Sequence, residues 1–211
     1  VTSTSNTPEE GGGSESWVAG IVGFTKGDVI CCDNLGTVFS SGVSTAHVAG
    51  ICAMPHNMMV IADCSHYGKV KCANDVPAHV GGIVATIGRE VHLVNCANRG
   101  EVNFIGSSPT KPSFIGGIVG NIYTPNKYND GAYLRRCVNY GKVETLSGGN
   151  NYENHDNSIH TGGIVGKASG NSKAVIRLLD CVNKGEVKAT TGRCGNIAGY
   201  ITSVDVQGRE F

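Results

Sequence analysis

The chain has 211 residues, and 17 lysine and arginine residues balance 17 acidic ones, so the formal net charge at pH 7 is +0. A chain without a basic surface lacks the usual signature of nucleic-acid binding, and no apolar run is long enough to cross a bilayer, so we expect neither a nucleic-acid partner nor membrane insertion. The 31 glycines lack the period of collagen, and the nine cysteines contain no Cys-x-x-Cys pair, which removes support for a zinc-ribbon or redox motif.

The first segment, residues 1–16, is rich in Ser, Thr, Gly and Glu and has no large apolar residue after Val1. Such a composition buries too little apolar surface to offset the entropy lost on ordering. The sequence therefore predicts a flexible linker over residues 1–16 and a repeat domain over residues 17–211.

From Trp17 onward the chain repeats two short sequence phrases, which indicates a repeat architecture. One phrase is Cys-x-Asn-x-Gly-x-Val, which occurs five times, once with His66 in place of asparagine. The other is close to Gly-Gly-Ile-Val-Gly and precedes each copy of the first. Its marker glycine is read at six positions: Gly20, Gly50, Gly82, Gly117, Gly163 and Gly199.

Each repeat contains short runs of β-branched residues between Gly and Asn turns, which is typical of strands, and none shows the 3.6-residue period of a helix. One such unit cannot bury its apolar face alone, so the units must stack in register. The predicted fold is all-β, a parallel β-solenoid (β-helix) of about five complete coils plus a partial sixth. We expect three short strands per coil, the first of them running through the Gly-Gly phrase.

The pairing of Gly-Gly-Ile-Val-Gly with a downstream Cys/Asn-x-Gly-x-Val over residues 17–201 resembles the Glug-type repeats of bacterial surface proteins. This resemblance implies an extracellular, cell-surface β-solenoid of adhesin-like proteins and brings no catalytic residue with it. Some proteins with such repeats are peptidases, but their His-Glu-x-x-His motif is absent here.

Two repeat positions are expected to form ladders along the solenoid axis. The cysteines suit a tight interior corner because a free thiol is small and apolar, and the asparagines can bond amide to amide between stacked strands. Asparagine also tolerates the left-handed backbone of a turn before glycine. The predicted structural ladders are Cys32, Cys64, Cys96, Cys137 and Cys181, and Asn34, Asn98, Asn139 and Asn183.

A third column stands three residues before the marker glycine and holds Trp17, His47, His79, Phe114, His160 and Asn196. We interpret it as a stack of flat side chains along an edge. His47 and His79 lie on neighbouring coils, close enough for one metal ion, but no further ligands are evident, so no metal site is predicted.

The fourth unit is the longest, with 46 residues between Gly117 and Gly163, and its excess lies in two insertions at residues 121–131 and 147–157. Tyrosine and asparagine are concentrated there, which resembles an adaptable recognition surface on a rigid scaffold. The predicted ligand-binding residues are Tyr123, Tyr128, Tyr152 and Asp156. The alternatives are a solvated loop without function, or calcium held by Asp130, Glu153 or Asp156.

No pair of carboxylates, nucleophile with an adjacent base or phosphate-binding loop occurs in the sequence, so neither a catalytic residue nor a cofactor is predicted. The predicted function is a non-catalytic structural or adhesion-type module of an extracellular cell-surface protein. Its partner would be a glycan or a host or cell-surface protein. The alternatives are a carbohydrate-active β-helix enzyme and a self-assembling filament or scaffold subunit that associates end to end.

Overall fold

The structure is a computed structural model, which describes residues 1–5, 15–42, 45–74, 77–88, 90–106, 112–124, 131–146, 159–170 and 175–202. These residues form 28 short strands and no helix, so none of them lies in a helix that could span a membrane. All strand pairs are parallel and follow one another coil by coil, which confirms the parallel β-solenoid with five complete coils and a partial sixth.

The chain begins with β1 (Thr2–Ser5) and continues through five coils of five strands each. The first coil contains β2 (Glu15–Ala19), β3 (Val22–Thr25), β4 (Val29–Ile30), β5 (Asp33–Asn34) and β6 (Val38–Gly42). The second contains β7 (Thr45–Ala49), β8 (Cys52–Pro55), β9 (Val60–Ala62), β10 (Ser65–His66) and β11 (Val70–Asn74). The third contains β12 (Ala78–Gly81), β13 (Val84–Ile87), β14 (His92–Val94), β15 (Ala97–Asn98) and β16 (Val102–Ile105).

The last coils follow the same order. The fourth contains β17 (Phe114–Gly116), β18 (Val119–Tyr123), β19 (Tyr133–Arg135), β20 (Val138–Asn139) and β21 (Val143–Leu146). The fifth contains β22 (His160–Gly162), β23 (Val165–Ser169), β24 (Arg177–Leu179), β25 (Val182–Asn183) and β26 (Val187–Ala189). The partial sixth contains β27 (Arg193–Gly195) and β28 (Ala198–Thr202).

Equivalent strands of successive coils make five sheets, which we number 1 to 5 by the position of the strand in its coil, with β1 joining sheet 5 beside β6. The prediction of three strands per coil is therefore wrong. The predicted first strand bends at the marker glycine, so that Ala19 ends β2 and Val22 begins β3. The segment around the cysteine bends likewise, and it separates sheet 3 from sheet 4.

The bend between sheets 3 and 4 uses a residue in the left-handed region just before each ladder cysteine. Five non-glycine residues, one per coil, have φ between 52° and 55° there: Cys31, Asp63, Asn95, Arg136 and Asp180. The ladder asparagines lie in strands instead, so the predicted left-handed turn at asparagine is wrong. A left-handed residue redirects the chain within one position, which explains why the strands are so short.

The interior is divided into layers. Valines of sheets 5 and 1 form one apolar cluster, and Ile, Val, Leu and Cys of sheets 2 and 3 form another. A third, small cluster between sheets 1 and 2 consists of Ala19, Ala49, Ala53 and Ala85. A Cβ on Gly81 of sheet 1 would lie 1.8 Å from Val84 O of sheet 2, so these two sheets pack backbone against backbone.

Two predictions need correction: the flexible linker over residues 1–16 and the marker glycine of the sixth unit. Thr2–Ser5 pair with Phe39–Gly42, and Glu15 and Ser16 belong to β2, so a flexible linker is wrong for these residues, and residues 6–14 lie outside the described part. The polar side chains did not predict pairing because β1 gains its stability from backbone hydrogen bonds. In the sixth unit Gly162 pairs with Gly195, so Asn196, and not Gly199, takes the place of the marker glycine.

Candidate functional site

The third column predicted from the sequence lies on sheet 1, where it faces sheet 2. We call this line of contact the seam. The register joins its members coil by coil, and because Asn196 is displaced, His160 pairs with Arg193. The column on sheet 1 is therefore Trp17, His47, His79, Phe114, His160 and Arg193.

The predicted stack of flat side chains is present in part: the rings of His79, Phe114 and His160 are stacked, whereas His47 meets His79 edge-on with an interplanar angle of 87°. The ring centroids of His47 and His79 are 4.8 Å apart, those of His79 and Phe114 5.0 Å, and those of Phe114 and His160 5.6 Å. His47, Phe114 and His160 are buried at the middle of the seam, whereas Trp17 at its first coil is 44% exposed.

Sheet 2 contributes a facing set of side chains. Phe24 lies 5.5 Å from Trp17 and Tyr200 lies 4.8 Å from His160, measured between ring centroids. Lys167 Nζ is 4.8 Å from the ring centroid of Phe114. The seam thus has an exposed aromatic end at the first coil and a mixed cationic and aromatic end at the last coils.

A polar cluster interrupts the aromatic contacts near the middle. Thr86 Oγ1 lies 2.9 Å from His47 Nδ1 and 2.8 Å from His79 Nδ1. A hydroxyl group has one proton, so at most one of the two imidazole nitrogens accepts a hydrogen bond from Thr86, and at least one donates to it. His47 Nε2 lies 3.6 Å from Glu15 Oε2.

Both imidazoles favour the neutral form. Burial lowers the pKa of His47 against a smaller opposing effect of Glu15, and burial followed by the positive charges of His47 and Lys167 lowers the pKa of His79. The described residues contain no group of three or more His, Cys, Asp or Glu side chains placed to hold a metal ion. The two histidines and Thr86 form a hydrogen-bonded packing cluster.

The ligand-binding residues predicted in the fourth unit are only partly described. Tyr123 ends β18 and is 55% exposed, whereas Tyr128, Tyr152 and Asp156 lie outside the described residues, as do Asp130 and Glu153. The chain leaves sheet 2 after Tyr123 for one insertion and returns to sheet 1 at His160 after the other. The first insertion therefore begins at the end of a sheet 2 strand, and the second ends at the start of a sheet 1 strand. Both points lie on the side of the seam opposite the marker glycines, which we call its open edge.

The cysteine ladder is internal, as predicted. Cys64, Cys96 and Cys137 are buried in the cluster between sheets 2 and 3, and Cys32 and Cys181 pack against it. Each thiol donates to carbonyl groups, as Cys64 does to Ala62 O at 3.1 Å. The adjacent Cys96 thiol and then burial raise the pKa of Cys64, and all nine cysteines are free.

The asparagine ladder is also internal and connects the two repeat phrases. Asn98 Nδ2 donates to Asn139 Oδ1, and Asn139 Nδ2 donates to Asn183 Oδ1, each at 2.8 Å. A Cβ on Gly82 would lie 2.4 Å from Asn98 Cγ, so the marker glycine makes room for the amide. These ladders stabilise the scaffold from its interior.

The sequence analysis missed one exposed column, at the residue between Asn and Gly of the cysteine phrase. Arg99 Cζ lies 4.5 Å from the ring centroid of Tyr140 and 5.9 Å from that of Tyr67, and Lys184 Nζ lies 5.3 Å from Tyr140. The sequence did contain a signal for this column, because aromatic and basic residues alternate at this position in four successive repeats. We call Tyr67, Arg99, Tyr140 and Lys184 the corner ladder.

Comparisons of the chain with protein families, with curated proteins and with solved structures found no match. The resemblance to Glug-type repeats stays a prediction.

Proposed function

We propose that this chain is a non-catalytic, adhesion-type module of an extracellular cell-surface protein, and that it binds glycans at the open edge of the seam. The observation that carries the proposal is the exposure of aromatic rings along this edge: 44% for Trp17, 40% for Phe24 and 55% for Tyr123. Large exposed aromatic side chains on a rigid scaffold are characteristic of binding surfaces.

The first coil supplies the best-formed part of this surface. The rings of Trp17 and Phe24 lie 5.5 Å apart with an interplanar angle of 32°, and the exposed His56 meets Phe24 edge-on at 6.2 Å. A sugar ring presents C–H groups on one face, which pack on aromatic rings, and hydroxyl groups at its rim, which bond to imidazole nitrogens. These three side chains offer both kinds of contact.

The scaffold supports a binding role more than the carbohydrate-active enzyme that we considered as an alternative. Glycoside hydrolysis uses a carboxylic acid and a second carboxylate across one sugar. Three described carboxylates are instead paired with lysines: Glu101 with Lys69, Glu144 with Lys142 and Glu186 with Lys188. Glu15 approaches His47, whose other ring nitrogen is occupied by Thr86.

An extracellular location follows from the resemblance to surface repeats. Five of the nine free thiols are compatible with it, because Cys52, Cys64, Cys72, Cys96 and Cys137 are buried and thus closed off from oxidants.

The test is binding of the chain to an array of neutral glycans, with Trp17→Ala, Tyr123→Ala and the combined Tyr123→Ala/Tyr128→Ala/Tyr152→Ala variant. Ile105→Ala is the matched control, because Ile105 is 39% exposed and ends strand β16 on sheet 5, outside the seam. We expect the seam variants to lose binding and the control to keep it. Binding that survives every seam substitution would exclude the site, and a parent that binds no glycan would exclude the adhesive role towards sugars.

A second candidate, end-to-end association, is favoured by a separate observation. The first residues and first coil expose several large apolar side chains, at Val1, Ile21, Ile30 and Leu35. We expect sedimentation of the parent to show association that weakens when Ile30 and Leu35 are replaced by serine. A parent that remains monomeric at all concentrations would remove this candidate.

A further inference from the structure

The corner ladder is held in place by the backbone. Each member donates its backbone N–H to the asparagine or histidine carbonyl of the preceding coil. The N···O distance is 2.7 Å for Arg99, Tyr140 and Lys184 and 2.9 Å for Tyr67. All four side chains point outward and are exposed. The ladder is therefore a fixed row of side chains parallel to the solenoid axis.

Both cations of the ladder contact aromatic rings. Arg99 lies between Tyr67 and Tyr140, and Lys184 lies beside Tyr140. A guanidinium group that stacks on rings keeps its charge, and its N–H donors lie in its own plane, so they remain available to a carboxylate or sulfate.

The neighbouring carboxylates do not neutralise these cations. Glu101 and Glu186 follow Arg99 and Lys184 by two residues, but Glu101 pairs with Lys69 at 2.8 Å and Glu186 with Lys188 at 2.9 Å. Among the described residues no carboxylate oxygen lies within salt-bridge distance of Arg99 or Lys184. The ladder thus presents positive charge that no described carboxylate neutralises.

A strip without side chains runs beside the ladder, formed by the glycines of the cysteine phrase: Gly36, Gly68, Gly100, Gly141 and Gly185. Stacking requires these glycines, since a Cβ on Gly100 would lie 1.5 Å from Gly68 O. Gly100 and Gly141 are buried and only Gly36 is exposed, so a linear ligand along this corner meets the four ladder side chains and not the backbone.

The spacing of the ladder selects the ligand. Adjacent coils are separated by about 4.8 Å, so Arg99 and Lys184, two coils apart, present positive charges roughly 10 Å from each other. This distance corresponds to two β-linked sugars of an extended polysaccharide. The tyrosine hydroxyls alternate with the charges and can bond to the sugar between them.

We propose that the corner ladder binds a linear acidic polysaccharide in which every second sugar carries a carboxylate or sulfate. Arg99 and Lys184 pair with successive acidic groups, and the chain of sugars lies along the four exposed side chains of the ladder. This site goes beyond the glycan surface at the seam, from which it differs in position and in ligand charge, and it stands whether or not the seam binds neutral sugars.

The experiment measures affinity at low and at physiological salt for four probes: an unsulfated polymer of alternating glucuronate and N-acetylglucosamine, chondroitin sulfate, a neutral chitin oligosaccharide and oligodeoxythymidylate. We compare the parent with Arg99→Gln and Lys184→Gln. Arg135→Gln is the matched control, because Arg135 is equally exposed but lies on sheet 3. Melting temperatures establish that each variant is folded.

We expect the parent to bind an acidic polysaccharide but not the neutral one, and each ladder variant to bind about tenfold more weakly, the loss of one charge-assisted hydrogen bond. Arg135→Gln should bind like the parent. Preference between the glucuronate polymer and chondroitin sulfate identifies the acidic group. The proposal is overturned if the parent binds neither, if Arg135→Gln loses as much affinity as the ladder variants, or if oligodeoxythymidylate binds as tightly.

Discussion

His66 and Asn98 occupy equivalent positions on adjacent coils, yet no hydrogen bond joins their side chains. Asn34 Nδ2 donates to His66 Nδ1 at 3.1 Å, so the ring proton is on Nε2. His66 Nε2 and Asn98 Oδ1 are both buried and have no hydrogen-bond partner among the described residues. The asparagine ladder is therefore interrupted at the single coil where the repeat carries histidine.

We predict that His66→Asn stabilises the protein. An amide at this position can accept from Asn34 and donate to Asn98, as the ladder does between Asn98 and Asn139. Satisfying Asn98 Oδ1 should raise the free energy of unfolding by about 1–2 kcal/mol, measured by urea unfolding. Asn139→His is the inverse change and should lower it. A His66→Asn variant no more stable than the parent would show that the missing hydrogen bond between residues 66 and 98 does not lower the stability.

Stability should fall in mild acid. Burial lowers the pKa of His66 to about 4, from 6.5 in the unfolded chain. Below pH 6.5 His66 binds a proton in the unfolded chain but not in the folded chain. The free energy of unfolding is therefore highest above pH 6.5 and decreases until the pH reaches about 4. For His66 alone the loss amounts to about 3 kcal/mol.

The measurement is the free energy of unfolding in urea between pH 4 and pH 7.5. His47 and His79, whose pKa values are also lowered, add to the same loss. His66→Asn should therefore keep a pH dependence, but a weaker one than the parent. Identical pH profiles for the two proteins would contradict the assignment to His66.

Arg136→Asn should stabilise the bend between sheets 3 and 4. Arg136 has a φ of 52°, a region that costs most L residues about 1 kcal/mol and that asparagine tolerates. The expected gain, measured by thermal or urea unfolding, is of that size or somewhat less. Arg135→Asn is the control, because Arg135 is also exposed but ends strand β19, where asparagine brings no gain. Equal effects of the two substitutions would argue against backbone strain as the cause.

Cys96→Asp should destabilise the core strongly. The thiol donates to Ile61 O and Val94 O, so an ionised carboxylate would face two carbonyl acceptors in the core. An unpaired buried carboxylate costs several kcal/mol or is forced to stay protonated. Cys194→Asp, at an exposed cysteine, should be nearly neutral. If both variants melt like the parent, the ladder does not point into the core.

Gly82→Ala should be among the most damaging small substitutions. Its Cβ would lie 2.1 Å from Gly117 O and 2.4 Å from Asn98 Cγ, and neither atom can move without breaking the stack. We expect a loss of about 3 kcal/mol or more in the free energy of unfolding. Gly27→Ala provides the control, because the nearest atom would be 3.9 Å away. A tolerated Gly82→Ala would mean that the contact between the two repeat phrases is looser than the geometry indicates.

The sequence determined which residues are equivalent along the axis, and through this the parallel solenoid, its number of coils and its internal ladders. Repetition is enough for this, because stacked parallel strands place equivalent side chains one above another. The cysteine and asparagine phrases marked the two ladders without knowledge of the cross-section. The columns at Trp17 and at Tyr67 were equally periodic, but the position of Tyr67 varies in residue type and was not recognised.

The cross-section was decided by the tertiary structure. A period does not report where the chain bends within one coil, since that depends on the left-handed residues such as Arg136 and on the glycines at which sheets 1 and 2 meet. For this reason the sequence placed three strands where there are five, and did not bring Thr86 between His47 and His79. Contacts along the axis follow from the repeat, whereas contacts across the coil follow from packing.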